Sequence, residues 1–268
     1  VTRDDVLKDS IIRGSNTQEV VDDYDMLSRH PYIRELEREF DRAAPDTRLW
    51  LERRWNEREL WQQEDPAFDF DRDDTQDRIL TPRQLMDGLA ATILGQAHEA
   101  HGRAQTVLGK VSSNGAGRGV KIFAMEQEPT IYRAVGWMIA AGRKWGRFAR
   151  HHWMDGPREA ESRGYWARHH FLQALWRVAD QAPDAVAQAD LMRGPLAQRR
   201  FEALIEKMTD PASRNRLTNL AGKAVENAES AVPAWNMAHP DRQVPARGRN
   251  ASARFRDLVR VEADKLRA

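Results

Sequence analysis

The residues of this sequence most able to do chemistry are its eight histidines, and six of them fall into three short clusters. "ARHHW" stands at 149–153 and "ARHHF" at 167–171, so the two His-His pairs are offset by 18 residues. That offset is five turns of an α-helix at 3.6 residues per turn, and one unbroken helix would put both pairs on one face. The intervening "MDGPRE" at 154–159 contains a Gly-Pro step, which ends one helix and opens the next. The pairs therefore belong to consecutive helices, one near a C-terminal end and one inside its helix. An antiparallel hairpin separates them by about 12 residues of the second helix, roughly 18 Å at 1.5 Å per residue. No metal ion is shared over that distance, since zinc–nitrogen bonds are about 2 Å long.

His98 and His101 in "HEAH" are spaced i, i+3 and share one side of a helix. A transition metal there needs one or two further ligands, and Glu99 or His152 can supply them. His98, His101 and His152 are the candidate metal set. The preferred reading of the histidines is plainer: imidazoles near a helix C-terminus interact favourably with its dipole and cap its carbonyls.

The segment "GRKWGRFARHHW" at 142–153 interleaves Arg143, Lys144, Arg147 and Arg150 with Trp145, Phe148 and Trp153. Cations neutralise phosphates and aromatic rings stack on bases, so the mixture suits a nucleic-acid surface. Trp145, Phe148 and His152 also lie three and four residues apart, the spacing of a core stripe with arginines left in water. That amphipathic reading is preferred. A second basic stretch runs from Arg242 to Ala268, with eight Arg and Lys against three acids. Its Arg247, Arg249, Arg254 and Arg256 join the first cluster as candidates for binding nucleic acid, an acidic partner, or the acidic N-terminal region of the same chain.

Other chemistry finds little support. "NGAGRGVK" at 114–121 resembles a phosphate-cradling loop only superficially: it lacks the P-loop spacing and its Lys-Ser/Thr ending, and no strand precedes it. Asp22/Asp23 and Asp73/Asp74 sit in solvated or linker segments with nothing to raise a pKa. Serine chemistry has no nucleophile-elbow context. The absence of cysteine excludes a disulfide framework, a thiolate metal site and a cysteine nucleophile. No catalytic residue and no cofactor are assigned.

These side chains must be positioned by helices. Of the 268 residues, 41% are hydrophobic and nine are Trp, enough for a substantial core. Residues 1–80 carry 13 Arg and Lys against 22 Asp and Glu, net −9, and the remainder is net +10. Prolines at 31, 82, 129, 157, 195 and 211 each open an apolar-periodic run, as suits the first helical position. Thr81, Gly156, Gly194 and Asp210 are the expected caps. Helices are expected near 3–12, 17–29, 31–43, 46–63, 82–110, 129–154, 157–181, 184–192, 195–208, 211–235 and 250–267. In the fourth of these, Trp50, Leu51, Trp55 and Trp61 share a face. Only "VKIFAM" at 120–125 could be a strand. Gly88, Ala90, Ala91, Gly95, Ala97, Gly136, Ala140 and Ala141 permit close helix approach. The expected fold is all-α, a multi-helix bundle. It divides into an acidic helical region (1–63), an acidic linker (64–80), a central basic bundle (81–235), and a basic hinge with a last helix (236–268). No apolar run approaches the roughly 20 residues of a membrane span. The opening "VTRDDVLKDS" is acidic where a signal peptide is basic and then apolar, so a cytoplasmic protein is expected.

"LWRVADQAPDAVAQADLMRG" followed by "FEALIEKMTDPASRNRLTNLAGKAV" resembles the BID domain, the secretion-signal module of type IV secretion substrates and conjugative relaxases. The resemblance covers about 157–235. It rests on Pro183-Asp184, Pro211 and Leu220-Ala221-Gly222-Lys223, with "AVENAES" where the family has a glycine- and lysine-rich stretch. It implies an elongated antiparallel helical bundle with basic patches and a positively charged tail. The expected function is a non-catalytic interaction module with a protein partner, associated with transfer or secretion. A helical nucleic-acid-binding protein is the first alternative, and a histidine-based metal-dependent enzyme the second.

Overall fold

A computed structural model describes residues 30–44, 47–53, 57–64, 72–100, 127–152, 157–180, 194–244 and 252–267; the side chains of 73, 147–152 and 157–167 are outside the described part. Among the described residues the fold is all-α. Nine helices form it: α1 (Pro31–Asp41), α2 (Glu57–Glu64), α3 (Asp73–Arg78), α4 (Pro82–Ala91), α5 (Pro129–His152), α6 (Pro157–Ala179), α7 (Gly194–Thr209), α8 (Pro211–Ala238) and α9 (Ala253–Arg267). The expected helices at 3–12, 17–29 and 184–192, the candidate strand at 120–125 and the loop at 114–121 lie outside the described residues.

Local chemistry explains where the helices begin. His30 accepts the Tyr32 amide through Nδ1, with Pro31 at the first helical position. Thr81 and Gln84 form a capping box, each side chain accepting the other's amide, at 3.3 and 2.9 Å. Asp210 accepts the Ser213 amide at 2.7 Å, which holds its carboxyl below the usual range. Gly194 takes φ +82°, a conformation costly for any residue with a Cβ.

The core is centred on α5, which packs against α4, α6 and α7. Glycine sets how closely α4 and α5 approach. A Cβ at Gly88 would stand 2.7 Å from Ile139 Cδ1 and 2.8 Å from Val135 Cγ1. Gly136 faces the other way and leaves room for Leu49 and Leu80, each 2.7 Å from where its Cβ would be. Tyr32 and Tyr132 meet edge to face at 5.6 Å and both donate to Gln127, to its carbonyl and its side chain respectively. Burial and the nearby Tyr132 push the Tyr32 phenol well up.

Four expectations are corrected. Residues 46–63 do not form one helix. Trp50–Leu51 is a two-residue strand, β1, paired in parallel with Ile79–Leu80, β2, in the register Trp50↔Ile79 and Leu51↔Leu80. Leu49 and Leu51 thereby reach the main core, and Trp50 packs with Ile79 and Trp61 in a smaller cluster. Second, residues 72–80 of the expected 64–80 linker are packed: α3 lies on α5, and Leu80 is fully buried. Third, the helix expected over 82–110 stops at Ala91. Thr92 turns its hydroxyl back to the Gly88 carbonyl at 2.7 Å, and Gly95 follows at φ +63°. Fourth, the start of the expected hinge at 236–250 is fastened. Asn236 brackets Val244, accepting its amide at 2.7 Å and donating to its carbonyl at 3.1 Å, and Trp235 Nε1 donates to the Arg242 carbonyl. The last helix packs on the bundle. It buries Phe255, Leu258, Val259 and Ala263 against α6 and α8.

Candidate partner-binding surface

Arg143 was the first residue of the expected basic surface, and the structure turns it inward. Its Nη1 donates to the carbonyls of Gln76 and Asp77, at 3.0 and 3.1 Å, and to that of Ile79; its Nη2 donates to Gln84 Oε1. Those carbonyls lie at the C-terminal end of α3, where helical backbone acceptors have no intrahelical partner. The guanidinium thus clamps α3 and β2 to α5 and the start of α4. Arg143 braces these elements, and phosphate binding by it would require breaking those contacts.

The next residue, Lys144, is exposed and makes no hydrogen bond or ion pair among the described residues. It stands at the mouth of a cleft of about 250 Å³ lined by Asp74, Asp77 and Arg78 of α3, Trp137, Ala140, Ala141 and Lys144 of α5, and Arg214 of α8. The four α5 positions follow the i, i+3, i+4, i+7 spacing of one helix face. Arg214 crosses the Trp137 ring at 5.6 Å and donates to the Met208 carbonyl at 3.1 Å. Trp145, beside it in sequence, does go inward as expected. It stacks on Phe171 with centroids 4.5 Å apart, and its indole nitrogen lies 2.7 Å from where a Cβ on Gly222 would be. The side chains of Arg147, Phe148, Arg150 and His152 lie outside the described part.

Two of the four C-terminal arginines are also engaged with their own chain. Arg254 donates to the Gln243 carbonyl at 3.1 Å. Arg256 pairs with Asp257 at 2.8 Å and reaches Gln96 at 3.5 Å, tying α9 to the turn after α4. Arg247 and Arg249 lie outside the described residues.

His98 sits in that turn at 97–99 rather than on a long helix. Its buried Nδ1 has no hydrogen-bond partner among the described residues, and its Nε2 lies 3.8 Å from Glu99. Burial, then the Arg256 charge, hold the imidazole below its usual pKa. Among the described residues no three His, Asp or Glu side chains are grouped to hold a metal ion. His101 and the His152 side chain, the other members of the candidate set, lie outside the described part. The second His-His pair is core: His169 and His170 are buried inside α6, and His170 meets Phe255 edge to face at 4.9 Å.

Two cations that sequence reasoning did not single out stand on α8, and one from the basic C-terminal stretch joins them on α9. Arg216 and Lys223 on α8 and Arg260 on α9 are exposed and make no ion pair among the described residues. The two helices pack against each other, so these cations belong to one double-helix layer. Large apolar side chains are exposed on the same layer, with Val261 at 47% and Met237 at 80%. Their signal in the sequence was the 28-residue span opened by Pro211, whose buried positions Leu217, Ala221, Ala224, Val225, Ala228 and Val232 leave Arg216 and Lys223 outward. Among the described residues no helix is long and apolar enough to cross a membrane. Comparison with known proteins finds no matching family model, no matching curated protein and no matching solved structure.

Proposed function

We propose that this chain is a helical interaction module, rather than an enzyme, that docks an acidic protein surface. The observation that carries the reading is the α8–α9 layer, which exposes the cations Arg216, Lys223 and Arg260 and the apolar side chains Val261 and Met237. Cations set the orientation and rate of encounter with an acidic partner, while exposed apolar side chains supply area to bury. The expected nucleic-acid surface has lost Arg143, Arg254 and Arg256 to intramolecular contacts, which weakens that alternative.

The resemblance of 157–235 to the BID domain supports a setting for the module: made in the cytoplasm and recognised by a type IV secretion machine. The test is transfer of a reporter enzyme fused to the whole chain, from a bacterial donor carrying such a machine into recipient cells. Transfer is expected from the intact donor only, and Arg216→Glu with Lys223→Glu and Arg260→Glu should reduce it at least tenfold. Equal signals from intact and machine-deficient donors would refute the secretion setting, and transfer indifferent to the three reversals would refute the surface.

A further inference from the structure

Going beyond that reading, we infer that the cleft between α3, α5 and α8 is a binding site for a carboxylate carried on a short apolar body. Its volume of about 250 Å³ lies just under the roughly 300–1,000 Å³ of pockets for drug-sized ligands, so the occupant is small. The charges select its sign. Asp74 already has Arg72 beside it at 3.2 Å, and Asp77 is buried and engaged within the chain. Lys144 has no counter-ion among the described residues. Arg214 faces an aromatic ring and a single carbonyl and joins no ion pair among the described residues, although the Asp210 carboxylate feels its charge. Lys144 without a counter-ion and Arg214 outside any ion pair line one opening, and together they attract an anion.

A third donor stands in the wall. Trp137 is 4% exposed, and its indole N–H has no acceptor among the described residues. A buried donor left unmatched is uncommon and costs free energy, and an anionic oxygen entering beside it relieves that cost. Ala140 and Ala141 line the same wall and leave space for an apolar body rather than a second polar group. A guanidinium fork, an ammonium and an indole N–H together match the two oxygens of a carboxylate.

Such a carboxylate is either a free small acid or an acidic side chain of a partner. Two probes separate these sources: butyrate, and a short capped peptide whose one charge is a glutamate side chain. Both are titrated into the whole protein while the Trp137 indole N–H resonance is followed, assigned by its loss in Trp137→Phe. The expected result is a saturable shift with a Kd of about 1 mM or tighter, weakened about tenfold in Lys144→Ala. Lys144 makes no described contact within the chain, so that variant keeps the fold. Arg214→Gln is the second variant, expected to weaken binding at least as much. Butyrate binding more tightly assigns the site to a free acid, and the peptide binding more tightly assigns it to a partner. No shift from either probe up to about 10 mM, ten times the expected Kd, overturns the inference. So does a shift that Lys144→Ala leaves unchanged.

Discussion

Arg177 of α6 and Asp264 of α9 meet fork to fork, Nε to Oδ1 and Nη2 to Oδ2, both at 2.7 Å. The arginine is almost fully buried while the aspartate keeps about a third of its side-chain surface in water. The pair is therefore asymmetric: removing the acid leaves a desolvated guanidinium without its carboxylate, whereas removing the arginine leaves a carboxylate that water can reach. Asp264→Ala should destabilise by about 2 kcal/mol, below the 3–5 kcal/mol of a fully buried pair because of that exposure. Arg177→Met, which keeps the buried stem, should cost less. Urea unfolding of the two variants measures the difference, and equal losses would show that the buried charge is not the controlling feature.

The close approach of α4 and α5 predicts an overpacking defect. Gly88→Ala must move Ile139 Cδ1 or Val135 Cγ1, since 2.7 and 2.8 Å are shorter than real Cβ contacts. Better helix propensity returns at most about 1 kcal/mol. Overpacking of this kind costs about 1–3 kcal/mol, so the net change should lower the melting temperature. Ile139→Val removes the atom nearest the new Cβ. The double variant should then lose less than the sum of the two single losses, and strict additivity would place the clash elsewhere.

How much of this was legible in the sequence follows from the range of each interaction. Pro31, Pro82, Pro129, Pro157 and Pro211 marked helix starts because a first-turn proline is a local signal, and the capping box of Thr81 and Gln84 lies within four residues. Trp50 and Leu51 failed as helix because Ile79 and Leu80, nearly thirty residues away, offer their backbone for pairing. Period-3.6 patterning around Trp50 carries no trace of that partner. Gly95 was visible inside the expected 82–110 helix, but the helix ends earlier, at Ala91 with Thr92 as its C-cap, and Gly95 only turns the chain beyond that end. The candidate site divides in the same way. The helix face of Trp137, Ala140, Ala141 and Lys144 follows from spacing alone. Arg143 pointing to the α3 carbonyls, and Arg214 arriving from α8, depend on how the helices cross.

Asp87 on α4 gives the pH dependence. Burial pushes its carboxyl up to about 7, opposed by Arg83, while in the unfolded chain it titrates near 3.9. The folded state therefore binds more protons between those values, and stability falls as pH rises from about 4 through 7. Full linkage over three units is about 4 kcal/mol; partial exposure of the side chain reduces the expected effect to about 2 kcal/mol. Asp87→Asn removes the titration, so it should be more stable than the parent by that amount at pH 8 and nearly equal to it at pH 4. His98, held low by burial, contributes the opposite slope below its ordinary value in both proteins and cancels in the comparison. Urea midpoints at the two pH values test this, and a gain of the same size at both would assign the effect to something other than Asp87 ionisation.

Arg143 separates a structural from a nucleic-acid role by direct measurement. A phosphate-binding arginine contributes up to about 0.9 to the slope of log affinity against log salt, and its removal weakens binding to every sequence alike. An arginine bonded to three carbonyls and Gln84 inside its own chain contributes nothing to that slope. Arg143→Ala should instead lower stability by about 2 kcal/mol, because the carbonyls at the end of α3 lose a charged donor. Trypsin should also cleave sooner at Arg78, whose segment the clamp holds to α5. Electrophoretic mobility of single- and double-stranded DNA and of RNA across a salt series, run beside the proteolysis, decides between the two. A salt slope that falls by about one in Arg143→Ala, with the cleavage rate unchanged, would return Arg143 to the surface from which the structure has removed it.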